Sequence, residues 1–290
     1  YSVLGQNKDI TFTPRFFSDD KFLMQTEFRQ VNKNSRHEAD LSFFNEDNEN
    51  SKTHFFYNYD KLFNFAYFED SALNFKVEKT SNDTYLRANN LKSPLIKNYN
   101  ILENILGLDL YSENLSINSE VKVYENLDKN SNDRYEFILP KLDLIKRFES
   151  PSNLDGNFLI KSSNFIRSYA TNILEKVNIN DFIFSSNPKI SKLGFYNNYD
   201  LIVKNVNSDS ANSKDYQENE KVYVSGIFQY NSSLPLIKER NNFLNIIKPK
   251  MAIKLSPEHT KDLSHKEGNR LDVNNVFNIN RLSSNNTIEG

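Results

Sequence analysis

The chain has 290 residues, and its 36 basic and 38 acidic side chains leave a net charge of −2, which excludes a strongly basic nucleic-acid-binding protein. The absence of Cys excludes disulfide staples, thiolate metal sites and a Cys nucleophile, and seven Gly, never in a G-x-G arrangement, leave no phosphate-cradling loop. No apolar run reaches 18 residues, so no transmembrane helix is expected, and no signal peptide opens the sequence.

Helical periodicity is weak throughout, whereas period-two alternation recurs. In chain order, Ile10, Phe12, Pro14 and Phe16 alternate with Thr11, Thr13 and Arg15. Phe22, Met24 and Phe28 alternate with Gln25, Glu27 and Arg29, and Ala39, Leu41 and Phe43 with Glu38, Asp40 and Ser42. Leu73, Phe75 and Val77 follow, then Leu115, Ile117, Val121 and Val123. Tyr135, Phe137 and Leu139 give way to Leu142 and Leu144, and this change of parity beside Pro140 predicts a bulge. Val222, Val224, Phe228 and Tyr230 share a parity, as do Ile247, Met251, Ile253 and Leu255. Between the runs lie polar clusters with turn chemistry, most clearly Asn45–Lys52, Asp128–Asp133 and Ser208–Glu220. The heavy use of Asn, Lys, Ile, Phe and Tyr, with Trp absent, matches an A/T-rich coding bias and receives little functional weight.

The pattern predicts an all-β chain: an antiparallel meander of about thirteen strands, several as long as the ~9–11 residues of a tilted bilayer-spanning strand. The same alternation suits two environments. In a soluble sandwich the apolar side faces a core, and in an outer-membrane barrel it faces lipid while the polar side faces a wet lumen. Strand length, the heavily charged polar side, and aromatics near strand ends (Phe16, Phe17, Phe22, Tyr57, Tyr59) favour the barrel, and the low Gly count opposes it.

Three stretches carry a resemblance. Lys8–Val31, KDITFTPRFFSDDKFLMQTEFRQV, is similar to the start of the membrane barrel in the LPS-assembly outer-membrane family LptD (OstA, Imp), with its D-x-T-x-T-P-R strand and a following strand that ends E-F-R. Glu78–Arg87, EKTSNDTYLR, resembles a family segment just after a strand. KPKMAIKLSP, residues 248–257, and NNVFNINRLSSNNTIEG, at the end of the chain, resemble the family's E-P-R strand and the loop after it. Lys248 stands where the family has Glu, Leu282 where it has Phe, and Ser284 where it has Gly.

The resemblance implies that residues 1–290 are one partial outer-membrane β-barrel domain, a piece of a longer protein. The periplasmic jellyroll and the closing strands would lie outside it. It implies a non-enzymatic channel without a cofactor, located in the cell outer membrane. Such a channel passes the LPS saccharide through its lumen and releases the lipid through a lateral gate. The implied partners are LPS, the lipoprotein plug LptE, the periplasmic bridge protein LptA and the lipid bilayer, with no nucleic acid. Another outer-membrane barrel (a porin or receptor) and a soluble sandwich adhesin are the alternatives.

Pro14 is the leading site candidate. Its missing N–H reads as an edge or bulge residue on general grounds and, by the resemblance, as a lateral-gate residue. Asp9, Thr11, Thr13, Arg15, Glu27, Arg29, Asp83, Tyr85, Pro249, Arg281 and Glu289 occupy family-motif positions. Asp83, Thr84 and Tyr85 are either ordinary turn chemistry or a loop folded inward onto the polar side. His259 and His265, with Glu258 and Glu267, match no standard metal-site spacing. No motif-supported Ser-His-Asp order is visible.

Overall fold

The computed structural model describes residues 1–18, 21–45, 51–150, 154–240, 243–256, 272–273, 275–279 and 288. The strands are β1 (Ser2–Gly5), β2 (Lys8–Phe16), β3 (Phe22–Val31), β4 (Ser35–Asn45), β5 (Lys52–Leu62) and β6 (Asp70–Thr80), then β7 (Ile101–Ser112) and β8 (Leu115–Asn126). They continue with β9 (Tyr135–Glu149), β10 (Gly156–Tyr169), β11 (Ile173–Ser186), β12 (Lys189–Ile190), β13 (Tyr196–Ala211) and β14 (Lys221–Ser233). β15 (Leu236–Arg240), β16 (Phe243–Ile247) and β17 (Lys250–Leu255) follow, and one helical turn, α1 (Tyr85–Ala88), lies between β6 and β7.

β1 to β11, then β13, β14 and β17, neighbour one another in that order in one sheet, with β12 beside β13. Short hairpin connections dictate this order, since antiparallel neighbours need no crossover helix. β15 and β16 form a separate hairpin. The path does not close, and β1 and β17 are its ends. The all-β antiparallel meander is therefore as the alternation predicts. The strands beyond the expected count are the short β1, β12, β15 and β16.

Contacts divide the chain into two compact units. The first comprises Tyr1–Asp143, Asn164–Lys176 and Ser210–Glu218. Its registers align polar residues: Asp9 opposite Arg29, Thr11 opposite Glu27, Glu27 opposite Asp40, and Gln25 opposite Ser42, which lies opposite His54. Directly opposed residues share a face, so alternate positions build one polar face. That face is the covered one, since Gln25, Asp40, Ser42, His54 and Glu78 are buried. The large apolar residues of the other face are open: Phe12, Leu41, Phe43, Phe55, Leu106 and Val121 are all exposed. A soluble sandwich would bury these and wet the charges, and a soluble monomer rarely exposes so continuous an apolar surface. The sandwich alternative therefore does not describe this chain.

Covered charges on β6 and β7 are paired. Lys76 Nζ lies 2.7 Å from Glu78 and 3.0 Å from Glu103. The β6–β7 ladder stops at Lys76 opposite Ile105. Beyond it the Glu78 N–H donates to Asn104 Oδ1 at 2.9 Å and the Glu103 N–H to Glu78 Oε2 at 2.7 Å. Side chains here replace the missing ladder bonds, as covered backbone groups require. On β9, Tyr135, Phe137 and Leu139 are exposed, then Pro140 and Leu142, so the face changes parity beside Pro140 as expected.

The second unit comprises Leu144–Ser163, Val177–Asp209 and Asn219–Gly290. β13 and β14 pair without a slip from Tyr196–Ser233 to Ser208–Lys221. The strand thus runs through Ser208 to Ala211, residues the sequence assigned to a turn cluster. Val222 and Val224 are exposed and Phe228 is half-buried on one side, while Ser225, Ile227 and Gln229 are buried on the other. On the side of Val222 and Val224, the amides of Asn178, Asn180, Asn205 and Asn207 bond one another across β11 and β13. At Gly156 an added Cβ would lie 2.5 Å from Ser185 O and 2.7 Å from the Phe184 ring, so only Gly allows this approach. One strand assignment needs correction. Ile247 does not continue into Met251, Ile253 and Leu255, because it ends the β15–β16 hairpin, and Lys248 and Pro249 separate it from β17.

The apolar face is expected to be the lipid side. At the centre of β8, Val121→Arg should cost about 2–4 kcal/mol in the intact barrel, and Asn118→Arg, beside Asp109 on the polar side, should be mild. Unfolding titrations of both variants in lipid check this, and equal losses would count against it.

Candidate functional site

The twenty-residue connection between β6 and β7, residues 81–100, folds back over the polar face of β2–β5. Asn82 starts it: its Oδ1 accepts from the Thr84 N–H at 3.0 Å and from the Thr84 hydroxyl at 2.9 Å. This Asx turn launches α1. Tyr85, Leu86 and Leu91 then pack with Leu23, Phe44, Phe56, Leu102 and Leu127 in one fully covered cluster. Burying each large apolar side chain is worth about 1.5–3 kcal/mol. Tyr99 closes the loop by donating its hydroxyl to Leu91 O at 2.7 Å.

Polar anchors fix the loop from below. The Arg15 guanidinium donates to Asn89 O at 2.7 Å, and Gln25 Nε2 to Lys92 O at 3.2 Å. Gln25 Nε2 also donates to both Asp40 oxygens at 3.1 Å. The Tyr85 and Ser42 hydroxyls share a bond of 2.7 Å, and Ser42 Oγ lies 2.5 Å from His54 Nδ1. His54 Nε2 is 3.3 Å from Asp40 Oδ1 but out of hydrogen-bond alignment. Burial pushes the Tyr85 hydroxyl pKa above its ordinary value. Cross-strand register thus joins Ser42, His54 and Asp40, which no sequence order had suggested. All three are about 2% exposed or less, and the Tyr85 hydroxyl bonds the serine, so the arrangement anchors the loop.

Asp83 carries the second set of contacts. Arg134 donates two bonds to it, at 2.9 and 2.6 Å, and a third to Glu125 at 2.7 Å. The hydrogen bonds from Arg134 hold the Asp83 carboxyl below its ordinary pKa, and Asp83 raises that of the guanidinium. Arg87 pairs with Asp128 at 3.0 Å. Thr171 donates to Asp133 at 2.6 Å, and Asn212 to Asn172 O at 2.9 Å. Connections 81–100, 127–134, 170–172 and the stretch 212–218 are therefore chained together within the first unit.

Next to this chain is a cleft of about 570 Å³, lined by Tyr124, Arg134, Glu136, Lys141, Arg167 and Tyr169 among others. The Arg167 guanidinium lies over the Tyr169 ring at 4.1 Å and donates to Glu136 at 2.8 Å. Lys141 pairs with Asp143 at 3.0 Å and Glu120 at 3.3 Å.

Pro14 lies on the open side of β2. Val31 N–H donates to Asn7 O, and Phe17 N–H to Lys21 O. These two bonds bracket the β2–β3 ladder. Bonding residues alternate, so the odd positions of β2 bond β3, and the even ones, Pro14 included, point their backbone groups at the opposite edge. On that edge β1 pairs only with Lys8–Ile10. Pro14 therefore turns a backbone nitrogen without a hydrogen toward the edge of β2 that β1 borders.

The remaining motif positions divide clearly. Asp9, Thr11, Thr13, Arg15, Glu27 and Arg29 share the polar face, with Arg29 donating to Asp9 at 2.8 and 3.0 Å. Pro249 precedes β17 and accepts from the Leu234 N–H at 3.1 Å. Arg281, Glu289, His259, His265, Glu258 and Glu267 lie outside the described residues. The structure adds Ser42, His54, Gln25, Arg134 and Glu125 to the site. The legible signal for it was a long polar connection carrying Tyr85, Leu86, Leu91, Leu95 and Ile96.

An open meander with a covered, charged face and an exposed apolar one defines a strand-crossing membrane protein of the β-barrel class. Within that class, residues 50–290 match the family model described as LptD, LPS transport system D. The chain belongs to this family of outer-membrane proteins for LPS transport. No curated protein matches the chain.

Two outcomes test the loop. Tyr85→Phe removes one of the two bonds of the buried Ser42 hydroxyl, which keeps His54, and should cost about 0.5–1.5 kcal/mol, read by chemical unfolding of the intact barrel. Asp83→Asn should speed hydrogen exchange of amides 81–100 and leave the strands unchanged. Because the Asp83 pKa is depressed, its contribution is complete above about pH 3.9 and fades as pH falls through the lowered folded value. Exchange in the two proteins should therefore converge in acid.

Proposed function

We propose that the chain is the N-proximal part of an outer-membrane channel that passes the LPS saccharide along its polar face and releases the lipid through a lateral gate beside β1 and β2. The observation that carries this reading is the placement of Pro14. Parting a seam breaks several ladder bonds together, and each is worth about 0.5–1.5 kcal/mol net. A residue with no N–H, on the β1-facing edge of β2, lowers that cost in advance.

The cleft beside Arg167 and Tyr169 supports a sugar path. Its Arg134, Lys141 and Arg167 are matched by carboxylates, so it offers alternating donors and acceptors beside an aromatic face, which suits hydroxyl-rich rings better than isolated charge. In this reading the anchored loop 81–100 narrows the path and meets a plug such as LptE. A bridge such as LptA delivers LPS from the periplasm, and no covalent chemistry is required of this component. The experiment is Pro14→Ala, which restores a donor with little change in volume. LPS arrival at the cell surface should fall while the amount of folded protein in the outer membrane stays normal. Undiminished delivery at a normal protein level would reduce Pro14 to an edge residue.

A further inference from the structure

The β15–β16 hairpin is the most exposed apolar element among the described residues. Leu236, Ile237, Phe243, Leu244, Ile246 and Ile247 are each more than half exposed. Only Leu234 and Pro235 separate it from β14, and only Lys248 and Pro249 from β17. It is not part of the meander: it pairs only with itself, Leu236 opposite Ile247 and Ile237 opposite Ile246.

Its two faces decide what covers it. Neighbouring residues of a strand point to opposite sides. Leu236 and Ile247 therefore form one apolar face, and Ile237, Ile246 and Leu244 the other. A protein docked on one face would leave the second face in water, whereas a lipid environment covers both. The hairpin also continues an apolar surface already present. Met251, Ile253 and Leu255 of β17 are exposed on the same side as Phe228 and Tyr230 of β14, and the hairpin begins where this row ends. Depth is limited by its backbone. A two-stranded hairpin has two open edges, and unpaired peptide groups are not tolerated in hydrocarbon. Lys238, Glu239, Lys248 and Lys250, exposed on or beside the hairpin, likewise require headgroups or water. An isolated hairpin is marginal in water alone, so the surface it enters also holds it together.

We propose that β15–β16 is a membrane-interface anchor, immersed in the headgroup layer of the phospholipid bilayer, with both apolar faces among the upper acyl segments and its lysines at the phosphates. This rests on the outer-membrane reading, and the test separates the two. In the full-length protein in nanodiscs of phosphatidylethanolamine and phosphatidylglycerol, Ile237→Cys, Leu244→Cys and Ile246→Cys would each carry an environment-sensitive fluorophore, read against the unsubstituted protein as background. Nitroxides on the lipid should quench all three positions, and aqueous iodide should not. Positions 237 and 236, labelled singly as Ile237→Cys and Leu236→Cys, sample opposite faces and should lose fluorescence alike. Phe228→Cys, on the sheet's apolar side, is the control for the membrane reading: if lipid nitroxides fail there, that reading falls first. Quenching by iodide at 237 and 244 with the control intact would overturn the anchor. So would protection from both quenchers, or lipid contact on one face only, since each means a protein covering.

Discussion

A strand carries backbone donors and acceptors along both edges, and in a bilayer each must be bonded inside the protein. The chain meets this demand by extending one ladder from β1 to β17 in sequence order. Where the ladder fails, other groups take over. Asn104 and Glu78 fill the gap between β6 and β7. On the edge of β2 that faces β1 the sequence places a proline, which has one group fewer to satisfy.

The same demand governs the side chains. Charges placed on one face of an antiparallel pair meet across it, so Asp9 lies opposite Arg29 by register, and Lys76, opposite Ile105, reaches diagonally to Glu103. A covered ion pair is at best modestly stabilising, yet removing one partner is costly. The polar face is thus fixed less by the strength of its pairs than by the penalty for breaking them. Loop 81–100 exploits that surface with an apolar cap, inverting the usual order in which polar groups cover a greasy core.

Much of this was legible in the sequence. Parity placed Phe12 and Phe16 on the exposed side of β2 and Val222 and Val224 on the exposed side of β14, and the phase change at Pro140 marked a real shift of face. What stayed hidden depends on register and tertiary contact. Ser42 and His54 are twelve residues apart and meet only because β4 pairs with β5 in one alignment. Asp83, Thr84 and Tyr85 read as turn chemistry because Asn82 does make a turn, and nothing local shows that Tyr85 lands on Ser42. Ile247 shares the parity of Met251 across a proline that ends one element before the next begins, so alternation alone could not divide them. The asparagines, attributed to coding bias, include four whose amides tie β11 to β13.

The chained connections at the end of the first unit set a limit on how the surface can vary. Residues 127–134 hold the preceding loop through Arg134 and Asp128 and the following turn through Asp133. They act as a keystone: a length change there would pull on both neighbours at once. The turn 63–69, whose Tyr67 is almost entirely exposed, bonds at its two ends to Ser71 and Tyr111 of the neighbouring strands. Insertions and epitope tags should therefore be absorbed around Tyr67 and rejected around Arg134, so that drift in loop length concentrates at turns like 63–69.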